Sequence, residues 1–153
     1  MPRHSETKFL PYTPEQLFGL VADVKNYAEF LPWVVAVRVR SSTEVETIAD
    51  LVVGFNAFKE RFTSRVSKHE PDRIVVDYLE GPLKYLKNEW RFEPADNGGT
   101  NLFFSVDFAF QSRIFEVIAG QMFDRALRRM TGAFEQRAAV LYGSNSSSAQ
   151  SAA

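Results

Sequence analysis

The chain has 153 residues, 45% of them hydrophobic and 24% charged, which fits one domain with a full core rather than two small ones. Eighteen Lys and Arg against 19 Asp and Glu leave a formal charge of −1, so no global field points to nucleic acid or an anionic membrane, and any basic partner site has to be local. Cysteine is absent, which excludes disulfides, zinc–thiolate and iron–sulfur sites and cysteine nucleophiles, and suits a reducing compartment.

The first residues, Met1 to Glu6, lack the apolar stretch of a signal peptide, and no apolar run is long enough to span a bilayer, so a cytoplasmic location is expected. Fourteen Phe, five Tyr and two Trp imply that either the core or a pocket is aromatic.

A first strand is predicted over Arg3–Leu10. Three agreeing signals then start a helix over about Pro14–Val21: Thr13 with Gln16 as a capping box, Pro14 in the first turn, and Tyr12 placed to staple onto Leu17. Asp23 is a plausible cap for a second short helix, Val24–Phe30, which Pro32 ends because the residue before proline avoids the helical region.

From Trp33 to Phe110 the texture becomes strand-like, with six further strands at Val34–Ser42, Glu44–Phe55, Phe58–Glu70, Arg73–Glu80, Tyr85–Pro94 and Thr100–Phe110. Turn residues separate them, most clearly Asp96-Asn97-Gly98-Gly99, so sequential hairpins and an antiparallel meander are expected. Alternation places Phe58, Glu60, Phe62, Ser64 and Val66 on one face and Lys59, Arg61, Thr63 and Arg65 on the other; Leu86, Trp90 and Phe92 oppose Lys87, Glu89, Arg91 and Glu93 in the same way.

One element remains to cover the apolar face. From Ser112 to Tyr142, Ala119, Met122, Phe123, Ala126, Met130, Ala133, Phe134 and Leu141 recur at helical spacing, with Ser112 as N-cap and Gly143 as stop. The architecture expected is α+β: a curved seven-stranded antiparallel sheet, two short helices after the first strand, and a long C-terminal helix packed across the sheet to enclose an apolar cavity. Residues 1–143 form the one domain, and the small, polar stretch 144–153 is expected to be a disordered tail.

Little chemistry stands out. His4 and His69 sit at strand ends with no metal-ligand or nucleophile-elbow spacing, and Gly98-Gly99 lies in a hairpin rather than between a strand and a helix, so neither metal nor nucleotide chemistry is expected. Glu60 falls on the apolar face, where an isolated carboxylate is costly, and Arg137 inside the last helix's apolar stripe is a candidate partner. Ala119, Ala126 and Ala133 make a slim line on that helix that suits either close packing or room for a ligand, and Gly120 and Gly132 weaken it where a bend would be wanted. The outward Lys59, Arg61, Arg65, Lys87 and Arg91 are either a solvated face or a local phosphate-binding surface.

Val21-Ala22-Asp23-Val24 followed by Tyr27 and Phe30-Leu31-Pro32-Trp33 resembles the coenzyme Q-binding branch of the START-like, or polyketide cyclase/dehydrase-like, superfamily. Phe62-Thr63-Ser64-Arg65-Val66, Gly81-Pro82 with Leu86 and Trp90-Arg91-Phe92, and Met130 with Phe134, Arg137 and Ala138 extend the resemblance to Gly143. Ala28, Val34 and Leu83 depart from the usual residues without removing a charged group.

The resemblance implies a helix-grip fold with a hydrophobic tunnel, and non-enzymatic binding of ubiquinone (coenzyme Q) as carrier or chaperone in support of respiration, with ubiquinone a bound ligand and no cofactor. Candidate ligand-contacting residues are Trp33, Phe55, Phe62, Tyr78, Trp90, Phe104, Phe108, Phe115, Met122, Phe123, Ala126 and Met130, with no catalytic or metal-binding residues. The partners implied are ubiquinone or a similar polyprenyl lipid and a transient membrane-surface contact, peripheral to the inner membrane. The same family includes ribosome-association toxins, so the alternative partner is the large ribosomal subunit; DNA is not expected. A cyclase-like enzyme is the third reading, for which Glu60 or a Tyr would have to serve as acid or base.

Overall fold

A computed structural model describes residues 3–55, 58–69 and 72–143, with the side chains of Phe55 and Phe58 outside the description. The expected tail, 144–153, lies outside the described residues. Seven strands, β1 (Arg3–Leu10), β2 (Val34–Ser42), β3 (Glu46–Phe55), β4 (Phe58–His69), β5 (Arg73–Glu80), β6 (Leu83–Pro94) and β7 (Thr100–Phe110), form one antiparallel sheet in the order β1-β7-β6-β5-β4-β3-β2. From β2 to β7 each strand pairs with its successor, as the turn residues require. β1 instead closes the far edge beside β7, so α1 (Pro14–Ala22) and a short 3₁₀ helix (Val24–Glu29) carry the chain from one edge of the sheet to the other.

Local chemistry fixes these elements. Thr13 Oγ1 accepts from the Gln16 amide at 3.1 Å while Gln16 Oε1 accepts from the Thr13 amide at 2.9 Å, so two otherwise orphaned donors at the start of α1 are satisfied reciprocally. At the β6–β7 hairpin a side chain on Gly99 would place its Cβ 2.7 Å from the Leu10 carbonyl oxygen, so only glycine lets β1's end pass this close. β3 begins at Glu46 rather than Glu44 because Thr43 Oγ1 accepts from the amides of Val45 and Glu46, which folds those residues into the turn. β6 begins two residues earlier than the sequence suggests, since Leu83 pairs with Phe110 across a bulge.

The C-terminal helix is interrupted once. α2 (Arg113–Arg128) and α3 (Met130–Tyr142) meet at Arg129, whose amide is shared between the carbonyls of Arg125 and Ala126, both at 3.2 Å. Thr131 and Gly132, both poor helix formers, follow at once, and the Thr131 hydroxyl is turned to Glu6 of β1. The break lets α2 lie against β7 while α3 lies against α1. Among the described residues no helix is long and apolar enough to cross a membrane.

The core between sheet and helices is built from rings. Phe18 meets Phe92 edge-on at 5.7 Å, Trp90 meets Phe104 at 4.7 Å and Phe134 at 4.9 Å, and Phe123 meets Phe108 at 4.9 Å. The opposite face of the sheet is polar but ordered. Asp50 there is 3% exposed, accepting from Thr63 Oγ1 at 2.7 Å and Arg40 Nε at 3.0 Å. Burial pushes its carboxyl up, but the Thr63 hydroxyl and the Arg40 guanidinium outweigh that and hold it below the usual aspartate value.

Candidate ligand-binding site

The period-two alternation of the strands turns Leu51 and Val53 of β3, Phe62, Ser64 and Val66 of β4, Leu86, Asn88 and Trp90 of β6, and Phe104 and Val106 of β7 to one side. Val24 and Tyr27 of the 3₁₀ helix, Leu31 and Trp33 after it, and Phe123, Ala126, Leu127, Met130 and Phe134 of the last two helices close the space from the other side. Together they enclose an apolar cavity of about 150 Å³. A cavity of that size accepts a benzene-sized ring, whereas whole drug-sized ligands occupy roughly 300–1,000 Å³. The space therefore suits one six-membered ring, not a polyprenyl chain.

No Asp, Glu, Lys, Arg or His lines this cavity among the described residues. Its polar groups are mostly satisfied by the protein itself. The Tyr27 hydroxyl donates to the Val21 carbonyl, and burial, helped by the Asp23 carboxylate, pushes its phenol far above the ordinary value. Asn88 donates to the Ser105 carbonyl at 2.8 Å and accepts from Trp90 Nε1 at 2.8 Å. Ser64 differs, because its hydroxyl faces the cavity without a hydrogen-bond partner among the described residues.

Of the residues singled out from sequence, Trp33, Phe62, Trp90, Phe104, Phe123, Ala126 and Met130 border the cavity. Four do not. Tyr78 packs its ring on Phe62 and accepts the Leu83 amide at 2.7 Å, so its hydroxyl holds the β5–β6 turn. Phe108 fills the core between Phe110 and Phe123, Phe115 rests on Phe110 at 5.4 Å, and Met122 borders an outer groove. The side chain of Phe55 lies outside the described residues. Sequence reasoning missed Asn88, although strict alternation between Leu86 and Trp90 points it inward; its polarity masked the signal.

Glu60 and Arg137 do not meet. Glu60 is exposed near the start of β4, beyond the helical cover, whereas Arg137 donates to Glu29 Oε1 at 2.8 Å and stacks its guanidinium over Phe30. Among the outward cations, Arg65 pairs with Glu46, Lys87 with Asp77 and Arg91 with Glu89, and Arg61 contributes to the field around Asp50. The outer face of the sheet is thus largely charge-balanced by its own neighbours. Among the described residues no group of three potential ligands is placed to hold a metal ion.

Beside the cavity runs a broader groove of about 740 Å³, bordered by Phe30, Pro32 and Trp33 on one side and by Arg125, Arg128 and Arg129 at the helix break. Trp33 and Ala126 border both spaces, so the cavity adjoins the groove there.

The family model described as polyketide cyclase/dehydrase and lipid transport matches residues 10–135. The chain belongs to that family. Within it, the chain is 40% identical to the ribosome association toxin RatA of Rickettsia prowazekii over 136 residues, covering 86% of this chain and 92% of that one. It is 35% identical to the coenzyme Q-binding protein COQ10 homolog B of Xenopus laevis, covering 92% of this chain and 59% of the longer relative. The solution structure of an 18 kDa protein of Caulobacter crescentus matches at 40% identity and a TM-score of 0.71, over 94% of this chain and 99% of that one. An aromatase/cyclase of Streptomyces shares the fold at a TM-score of 0.76 and 20% identity, covering 90% of this chain and 93% of that one. A START superfamily protein of Mycobacterium smegmatis shares the fold at a TM-score of 0.75 and 16% identity, over 91% of this chain and 98% of that one, so the architecture is START-like.

Proposed function

We propose that the protein is a non-enzymatic carrier of ubiquinone, holding the quinone ring in the cavity while the polyprenyl tail leaves between Trp33 and Ala126 and lies along the groove. The observation that carries this is the cavity itself: ring-sized, walled by aromatic and aliphatic side chains, free of charge, and bearing the unpartnered Ser64 hydroxyl to donate to a quinone carbonyl. Burial of an apolar ring contributes about 25 cal/mol per Å², so affinity comes from area and orientation from Ser64. The coenzyme Q-binding relative supports the choice of ligand. Acid–base catalysis is disfavoured because Tyr27, an ionisable group on the wall, is held protonated and already donates to a backbone carbonyl.

Purification from a quinone-making host, solvent extraction and mass spectrometry should recover ubiquinone from the wild-type chain. Ala126→Trp, placed where cavity and groove join, should lose it while keeping the wild-type circular dichroism spectrum. No recovered quinone, together with no uptake of added ubiquinone, would sink the reading.

A second reading, association with the large ribosomal subunit, is favoured by the RatA relatives. It requires cations free to meet RNA phosphates and steep salt dependence. Co-sedimentation with ribosomal subunits before and after Arg61→Glu with Arg65→Glu distinguishes it; the pairing of Arg65 with Glu46 weighs against that face.

A further inference from the structure

α2 has an outer face as well as an inner one, and the outer face changes character along its length. Ile114, Val117 and Ile118, at positions i, i+3 and i+4, are 72%, 76% and 62% exposed. Among the described residues the other exposed large apolar side chains are spread no more than two to an element. Scattered exposure is ordinary, but three bulky aliphatics on the first two turns of one helix form a patch.

Two turns further along the same line, Arg125 stands seven residues beyond Ile118, flanked by Arg128 and Arg129 on the rim of the groove. Arg113 precedes the patch. Among the described residues Arg113, Arg125 and Arg129 have no ion-pair partner, and Arg128 is shared between Asp124 and His4. The helix and its junction residue thus carry four arginines against Glu116 and Asp124.

We propose that the outer face of α2 docks on an anionic lipid bilayer, with Ile114, Val117 and Ile118 entering the headgroup–acyl boundary and the arginines meeting lipid phosphates. Charge complementarity selects an anionic surface, and the aliphatic character of the patch selects lipid over RNA, whose single-stranded bases are held by stacking on aromatic or guanidinium planes. Docking this way presents the groove, and the Trp33–Ala126 junction behind it, to the membrane from which an apolar ligand would come. The proposal adds a partner to the ligand-binding reading and rests on that reading for its purpose, though not for its surface.

The test is flotation of the full chain with vesicles of phosphatidylcholine alone or mixed with phosphatidylglycerol, at low and high salt. The wild-type chain should float with the mixed vesicles, less so at high salt. Val117→Asp with Ile118→Asp should lower the partition by about tenfold or more, since both side chains would otherwise be buried in the interface, while thermal melting stays wild-type. Arg125→Gln with Arg129→Gln should remove most of the salt-sensitive part. No flotation at low salt overturns the proposal, as does flotation unchanged by the two aspartates. It is equally overturned if those aspartates abolish self-association or ribosomal-subunit binding in a chain that ignores vesicles. Quinone extraction in parallel separates the failures: an empty cavity with intact flotation removes the ligand reading alone, and a loaded cavity without flotation removes docking alone.

Discussion

α2 and α3 come from one amphipathic stretch but are held in opposite ways. α3 is tied to the rest of the molecule by Thr131 to Glu6, Glu135 to Lys8, Arg137 to Glu29, and the Tyr142 hydroxyl to the Gln16 carbonyl. Its Phe134 is 1% exposed amid Tyr27, Phe30 and Trp90. α2 is seated by Ala119, Phe123, Ala126 and Leu127, and its polar side chains mostly face solvent or each other. The break at Arg129 thus divides an anchored segment from one held mainly by apolar contact, and both border the cavity, α2 through Phe123, Ala126 and Leu127 and α3 through Met130 and Phe134. Apolar contact is non-directional, so α2 can shift against the sheet with less loss than α3.

The strongest way to break this contrast is Phe134→Ala. Removing a ring packed on three sides should cost about 3–5 kcal/mol, read from urea unfolding, whereas Val117→Ala on the outer face of α2 should change stability by less than about 0.5 kcal/mol. Equal losses would show that the two helices are not held differently. A subtler probe is Thr131→Val, which deletes the hydroxyl bond to Glu6 and should cost roughly 1–2 kcal/mol. Native-state hydrogen exchange should then show α3 amides losing protection toward the level of α2, which is expected to exchange faster in the wild-type chain. Exchange that is already uniform across Arg129 would remove the distinction.

The smallest effect is a slope with pH, and it serves as a control away from both helices. The Asp50 carboxyl is depressed in the folded state, so its contribution is present above the ordinary aspartate value, about 3.9, and is lost as pH falls through the lower folded value. Asp50→Asn should flatten that part of the acid-unfolding curve while leaving the exchange difference between α2 and α3 in place. A wild-type acid limb in the Asn variant would mean that the pair with Thr63 and Arg40 does not govern it.

Much of this was legible from sequence because period and punctuation were clear. The capping box at Thr13, the Gly98-Gly99 hairpin and alternation along β4 and β6 specify their elements by local chemistry alone. What was not legible depended on distance through space. Alternation turns Glu60 and Phe62 to the same face, but only tertiary packing decides that helical cover reaches Phe62 and stops short of Glu60. Arg137 found Glu29 because the crossover from β1 to β2 passes beneath α3, a relation no periodicity encodes. The volume of the cavity follows from the sum of many ring contacts, so a long tunnel and a ring-sized chamber looked alike in sequence.

The position of β1 has a consequence for how the chain is made. Arg3 pairs with Asp107 and Leu10 with Thr100, so β1 meets its partner strand only after roughly a hundred further residues have been made, some 5–20 s at ordinary elongation rates of about 5–20 residues per second. Until then the anchor points Glu6 and Lys8 have no helix to hold, and the 46% exposed Phe9 rides on an unpaired strand. Vectorial synthesis therefore leaves the meander of β2 to β7 to form first, and the grip of α3 is set last, when β1 and α3 meet.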